Sequence, residues 1–202
     1  MVAKDISIPG YKVVDYMIII NPHQELRNRI EEVKAEFARE YKASTGFGAN
    51  LMLASFSQYE MMEDRIINRL KNIALGSYPF KVELKDFGSF PTHTIYFKVV
   101  SKIPVQELVK KIRSEAQRLM KLNDENKPYF NLEPHITIAR KLKPWQYEKG
   151  WLEFSAKSFT GRFIADEMIL LKRLQGEAKW MVAKRFQFEN MPIEIKQGEL
   201  FS

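Results

Sequence analysis

Pro134-His135-Ile136-Thr137-Ile138-Ala139-Arg140 is the segment from which the reading of this chain starts. A proline leads into residues that alternate in character, the pattern of a short strand with one apolar face. Residues two apart on a strand share a face. His135 and Thr137 therefore point one way, and Ile136 and Ile138 are expected behind them against helices. An imidazole beside a hydroxyl can move a proton and donate to an anionic oxygen. The same histidine also fits a purely structural place in a strand.

Working outward, the spacing predicts a strand over His93–Val100 and a helix opened by Pro104 and running to Met120, with Val105, Leu108, Ile112 and Leu119 inward. The order strand, helix, short strand already occurs in the first half. Val13–Ile20 is a β-branched apolar run that stops at Asn21-Pro22. Leu26, Ile30, Val33 and Phe37 repeat at helical spacing as far as Tyr41, and Asn50–Phe56 is a second strand after the loop Ser44–Gly48. The two copies share the pattern and almost no residues, and their spacing is too long for a solenoid, so a pseudo-twofold pair of lobes is expected. In that symmetry Asn50 corresponds to His135 and Met52 to Thr137, and the two strands side by side form a cleft lined by all four.

Between the copies, a helix is predicted over Gln58–Ala74, a strand over Phe80–Leu84 and a turn over Gly88–Thr92. After them come a polar loop, Asn123–Glu133, and a short amphipathic helix, Lys143–Phe154. Strands Gly161–Ile164, Glu167–Leu171 and Lys179–Phe188 close the chain, with a tail from about residue 190. No Gly/Ser-rich or Pro-rich linker divides it. The expectation from these patterns is one two-lobed domain over residues 1–202 with pseudo-twofold symmetry about a cleft.

Composition narrows the chemistry. The chain has 202 residues, 45% apolar and 28% charged, which suits a globular core and excludes disordered or low-complexity classes. It holds no cysteine, so disulfide frameworks, zinc–thiolate sites, iron–sulfur clusters and cysteine nucleophiles are out. With three histidines in all (His23, His93, His135), no metal centre and no cofactor are expected. The net charge of +7 favours an anionic partner such as RNA or a nucleotide, and equally describes a solvated basic surface. Tyr16–Ile20 is the longest apolar run, too short to span a bilayer, and no signal-peptide pattern opens the chain; a cytoplasmic protein without membrane contact is expected.

The segment Pro134–Arg140 resembles the second signature of the two-histidine phosphoesterase superfamily, of the bacterial 2'-5' RNA ligase and cyclic phosphodiesterase type: His, hydrophobic, Thr or Ser, hydrophobic. From about Val13 to Phe188 the order of elements resembles that family too, including Asn21-Pro22 after the first strand and Phe87-Gly88-Ser89-Phe90 before the middle one. The resemblance implies an α+β fold of two lobes, each an antiparallel sheet with outer helices around a central cleft, and one His-x-Thr from each lobe. One imidazole takes a proton from the attacking group, the other protonates the leaving oxygen, and the hydroxyls hold the phosphate. On that pattern His135 and Thr137 are the catalytic pair.

The first signature departs from the pattern. It reads Asn50-Leu51-Met52. An asparagine amide donates a hydrogen bond but cannot shuttle a proton, and a thioether donates nothing. Losing one general acid or base costs about 10²- to 10⁴-fold in rate. His93-Thr94-Ile95-Tyr96 offers a substitute imidazole, with its hydroxyl one position early and so on the opposite face. His23 fits a helix cap. Tyr96, Lys98 and Arg140, with Lys141 and Lys143, can supply charge or stacking to a nucleotide, or sit solvated; Trp145, Tyr147 and Trp151 fit helix packing. Three functions stay open at this point. The chain is a degenerate member that binds an RNA end or nucleotide phosphate with weak or lost turnover. It is an active 2',3'-cyclic phosphodiesterase or 2'-5' ligase-like enzyme with a substitute partner for His135. Or it is an interaction scaffold.

Overall fold

The structure, a computed structural model, describes residues 11–191. The elements follow in the order β1 (Val13–Ile20), α1 (Gln24–Tyr41), β2 (Leu51–Tyr59), α2 (Glu63–Leu75), β3 (Phe80–Phe90), β4 (Thr94–Val99), α3 (Lys102–Met120), β5 (Tyr129–Phe130), β6 (His135–Arg140), α4 (Pro144–Phe154), β7 (Thr160–Ala165), β8 (Glu167–Leu174) and β9 (Met181–Gln187), with a 3₁₀ turn at Glu60–Met62. All strand pairs are antiparallel. The expected tail lies outside the described residues except at its start, where the amides of Asn190 and Met191 donate to the carbonyls of Ser77 and Leu75.

One sheet has the order β5-β2-β1-β8-β9 and the other β6-β4-β3-β7. Drop the two-residue β5 and the series match: β2-β1-β8-β9 against β6-β4-β3-β7. In each, the first strand of the echo is inside and the second lies beside it, so the pseudo-twofold relation holds in the strand order. The fold is α+β and two-lobed, as the resemblance implies.

The helices depart from the simplest version of that symmetry. α1, which joins β1 to β2 in one sheet, packs against β6 and β7 of the other; α3, which joins β4 to β6, packs against β2 and against α2. Each linking helix thus covers the opposite sheet as well as joining its own strands. Burial follows the predicted faces for Leu26, Ile30 and Phe37 on α1 and for Val105, Leu108 and Ile112 on α3; Val33 and Leu119, also expected inward, are only partly buried against the core, and Met120 is fully buried in place of Leu119. Each fully buried large aliphatic contributes about 1.5–3 kcal/mol. A single apolar cluster runs through both halves. A small separate one, Ile19, Ile169 and Leu171 with Met17 and Trp180, lies on the far face of the first sheet.

Three boundaries differ from the sequence reading. Gly88–Phe90 continues β3 instead of turning, because Gly88 pairs with Tyr96 and lets that ring lie on the backbone: a Cβ at Gly88 would sit 2.5 Å from Tyr96 Cε2. The polar loop after α3 holds β5, which adds to the edge of β2 through Ala54–Phe130 and Ser55–Tyr129. Helix two starts at Glu63, since β2 runs on to Tyr59.

Candidate functional site

Between the sheets, the loop before β2 is stitched to β6. Gly46 N donates to Ile138 O at 2.8 Å, and Thr45 bridges Ala139. Close approach requires glycine: a Cβ on Gly46 would lie 3.0 Å from Thr137 Cβ, Cγ2 and O. Beneath the loop, Lys34 on α1 is 2% exposed and its Nζ donates to Gly46 O (2.8 Å) and Gly48 O (2.6 Å). Burial lowers the pKa of that ammonium, and Glu31 at 3.8 Å opposes the shift.

This stitching brings the two corresponding segments together. Asn50, Met52, His135 and Thr137 line one cavity of about 70 Å³, with Met17, Gly46, Phe47, Asn131 and Arg140. It opens beside a cleft of about 620 Å³ that His135, Thr137, Met52 and Arg140 share with Asp15, Phe90, Thr94, Lys127, Tyr129, Arg173 and Trp180, among others. Asn50 lies just before β2, and its Nδ2 donates to Phe47 O at 2.9 Å. Ile136 and Ile138 are fully buried behind the site, on the α1 side.

The His135 ring is held on three sides. Its Nδ1 is 2.6 Å from Glu133 O. A carbonyl oxygen only accepts, so Nδ1 carries the hydrogen and Nε2 keeps its lone pair in the neutral ring. The Tyr96 ring packs at 4.9 Å and the Phe90 ring at 5.1 Å between centroids. Burial is the largest influence and holds the His135 pKa below the ordinary histidine value; the Glu133 carbonyl and carboxylate pull the other way. The imidazole is therefore mainly neutral at neutral pH. The Tyr96 phenol is itself shifted upward by burial.

The remaining sequence candidates divide. Thr94 lines the cleft, Tyr96 backs His135, and Arg140 lines both cavities at an exposed strand end. Lys98 pairs with His135 across the strands but lines a neighbouring groove with Tyr96, Lys102 and Glu133. His93 is exposed, its Nδ1 is 2.6 Å from Thr94 Oγ1, and it lines neither cavity that His135 lines. The residue sits just before β4, where the strand alternation begins. His23 caps α1, its Nδ1 facing Leu26 N at 3.4 Å.

The cleft also contains residues that the sequence reading missed. Asp15 accepts from Ser57 Oγ (2.8 Å) and from Arg173 (Nε 3.2 Å, Nη2 3.1 Å), and the Arg173 guanidinium lies 4.5 Å over the Trp180 ring. Phe47 stands 6.0 Å from Trp180. Asp15 lies within the predicted first strand, Arg173 lies beyond the predicted end Leu171 of the strand that in fact runs to Leu174, and the pairing of β1 with β8 places them together. Lys34 did carry a signal, a lysine four residues after Ile30 in the buried stripe of α1. Among the described residues no group of His, Asp and Glu has the makings of a metal site, and no helix is long and apolar enough to cross a membrane.

Comparison with known proteins places this architecture. The family model for the 2'-5' RNA ligase superfamily matches residues 22–177, and the chain belongs to that family. No match was found among curated protein sequences. Solved structures share the fold. Escherichia coli LigT complexed with 3'-AMP superposes with a TM-score of 0.63 at 16% identity, over 88% of this chain and 98% of LigT. The protein TT0787 of Thermus thermophilus gives a TM-score of 0.64 at 17% identity, over 87% of this chain and 98% of its own. LigT complexed with ATP gives 0.61 at 18% identity, over 88% and 99%.

Proposed function

We propose that the cleft binds an RNA end or a nucleotide through its phosphate, with His135 and Thr137 at the phosphate position, and that turnover of the family's kind is weak or lost. The observation that carries this reading is the single cavity lined by Asn50, Met52, His135 and Thr137. One of its halves offers an imidazole and a hydroxyl, and the other offers an amide already engaged and a thioether. Arg140 beside it and Lys127 in the adjoining cleft supply positive charge, Arg173 there being paired with Asp15, and Phe47, Trp180 and Tyr129 supply faces on which a base can stack. LigT has been crystallised with 3'-AMP, ATP and NADP+, and a related ligand class fits the charge and size of this cleft. A cysteine-free basic chain acting on such ligands fits the cytoplasm.

The test is calorimetric titration of 3'-AMP at several salt concentrations into the native chain and into His135→Ala. Saturable binding that weakens with rising salt and with the substitution supports the reading. Absence of binding by 3'-AMP, inorganic phosphate and short RNA together leaves only a scaffold.

A further inference from the structure

We infer that this cleft retains a general base with no facing acid, and that it hydrolyses phosphoanhydrides and aryl phosphodiesters, whose leaving groups depart as stable anions, in preference to cyclic or alkyl phosphodiesters. The inference rests on the reading of the cleft as a nucleotide-phosphate site and names its substrate class.

Three observations carry it. First, the Glu133 carbonyl fixes the His135 hydrogen on Nδ1, so the other ring nitrogen is an acceptor before any substrate arrives. The downward shift from burial keeps it so at neutral pH.

Second, apart from the Thr137 hydroxyl, which is far too weak an acid, no group in the small cavity shared with His135 can hand over a proton in return. Asn50 and Asn131 are amides, Met17 and Met52 are thioethers, and Arg140 does not deprotonate. The only other histidines, His23 and His93, lie elsewhere. Lys127 and Tyr129 line the outer cleft but not this cavity, and Tyr16 directs its hydroxyl to Glu63 at 2.9 Å.

Third, the small cavity beside His135 has room for the attacking water: the roughly 70 Å³ available exceeds the ~10–15 Å³ a water needs.

The step balances with water as the only co-reactant. His135 Nε2 takes a proton from the water as its oxygen bonds to phosphorus. The bond from phosphorus to the leaving oxygen breaks, and that oxygen leaves with the electron pair. The imidazolium then returns its proton to solvent. A departing phosphate, with a second pKa of about 6, needs no proton at neutral pH, and neither does a nitrophenolate. An alkoxide is far more basic and needs the acid that Asn50 has replaced. Arg140 and Arg173 stabilise the charge that leaves.

The experiment compares, with the full chain, the nitrophenyl ester of thymidine 5'-phosphate and 2',3'-cyclic AMP, alongside 3'-AMP binding. The expected result is nitrophenolate release that falls about 10²-fold or more in His135→Ala, with cyclic AMP at background. The rate should rise with pH along one limb and level off, without the descending limb that an essential acid produces. Cyclic AMP opened at a comparable rate in a His135-dependent way, a bell-shaped profile, or release indifferent to His135→Ala overturns the inference. Binding of 3'-AMP without ester turnover overturns it too and leaves the binding reading intact; absence of both removes the two together.

Discussion

The start of β2 and the start of β6 occupy matching places in the two halves and have been treated in opposite ways. His135 is braced by Tyr96, Phe90 and the Glu133 carbonyl, with Thr137 two residues on. Asn50 turns its amide back to its own loop, and the next residue on its face is Met52. The scaffolding behind the two is alike: an antiparallel neighbour strand and a helix borrowed from the other half. The difference between the two places therefore lies in their side chains, while the strand order around them matches.

Restoring the symmetry is the sharpest way to probe that difference. Asn50→His with Met52→Thr is expected to raise hydrolysis of 2',3'-cyclic AMP by about 10²-fold or more, the worth of a positioned general acid. Steady-state kinetics checks this, with folding confirmed by circular dichroism. A folded but inert double variant would break the correspondence between Asn50 and His135.

The next effect concerns what holds the halves in register. Lys34→Met keeps an apolar stem but leaves the Gly46 and Gly48 carbonyls without their buried donor. The expected loss of stability is about 2–4 kcal/mol in urea unfolding, one to two unsatisfied buried groups' worth. Because the same loop carries Phe47, which anchors Asn50, the variant should also weaken 3'-AMP binding. A stability change within experimental error would show that the loop is held by its contact with β6 alone.

The smallest effect is a pH dependence. His135 has a lower pKa folded than unfolded, so below the ordinary histidine value the unfolded chain binds more protons. Stability is then fully present above the unfolded histidine pKa of about 6.5 and declines as pH falls through the window between it and the lower folded value. His135→Gln should flatten that part of the profile. An unchanged slope would mean that the ring protonates in place without cost.

Much of this was legible in the chain. The alternation over His135–Ala139 and the helical spacing of α1 and α3 are local consequences of which face is buried, so they can be read without coordinates. The repeated order of elements exposed the symmetry, and the His-x-Thr pair pointed to the site. The exchange of helices between sheets was not legible, because an amphipathic helix states that it has an apolar face and not which sheet covers it. Arg173, Trp180 and Asp15 were hidden for a related reason: Asp15 is far in sequence from the other two, and their meeting depends on the pairing of β1 with β8 and of β8 with β9. β5 escaped notice because two residues carry no period, and His93 misled because alternation fades at a strand's entrance.

The amino-acid order by itself determined the elements, their buried faces and the residues at the two corresponding strand starts, His135-Ile136-Thr137 and Asn50-Leu51-Met52, since all three are properties of neighbours along the chain. Tertiary structure alone decided that Lys34 ties the loop before β2 and that Arg173 and Trp180 line the cleft. Those contacts join segments distant in sequence, and they exist only once both sheets have packed around a common core and brought their edges together.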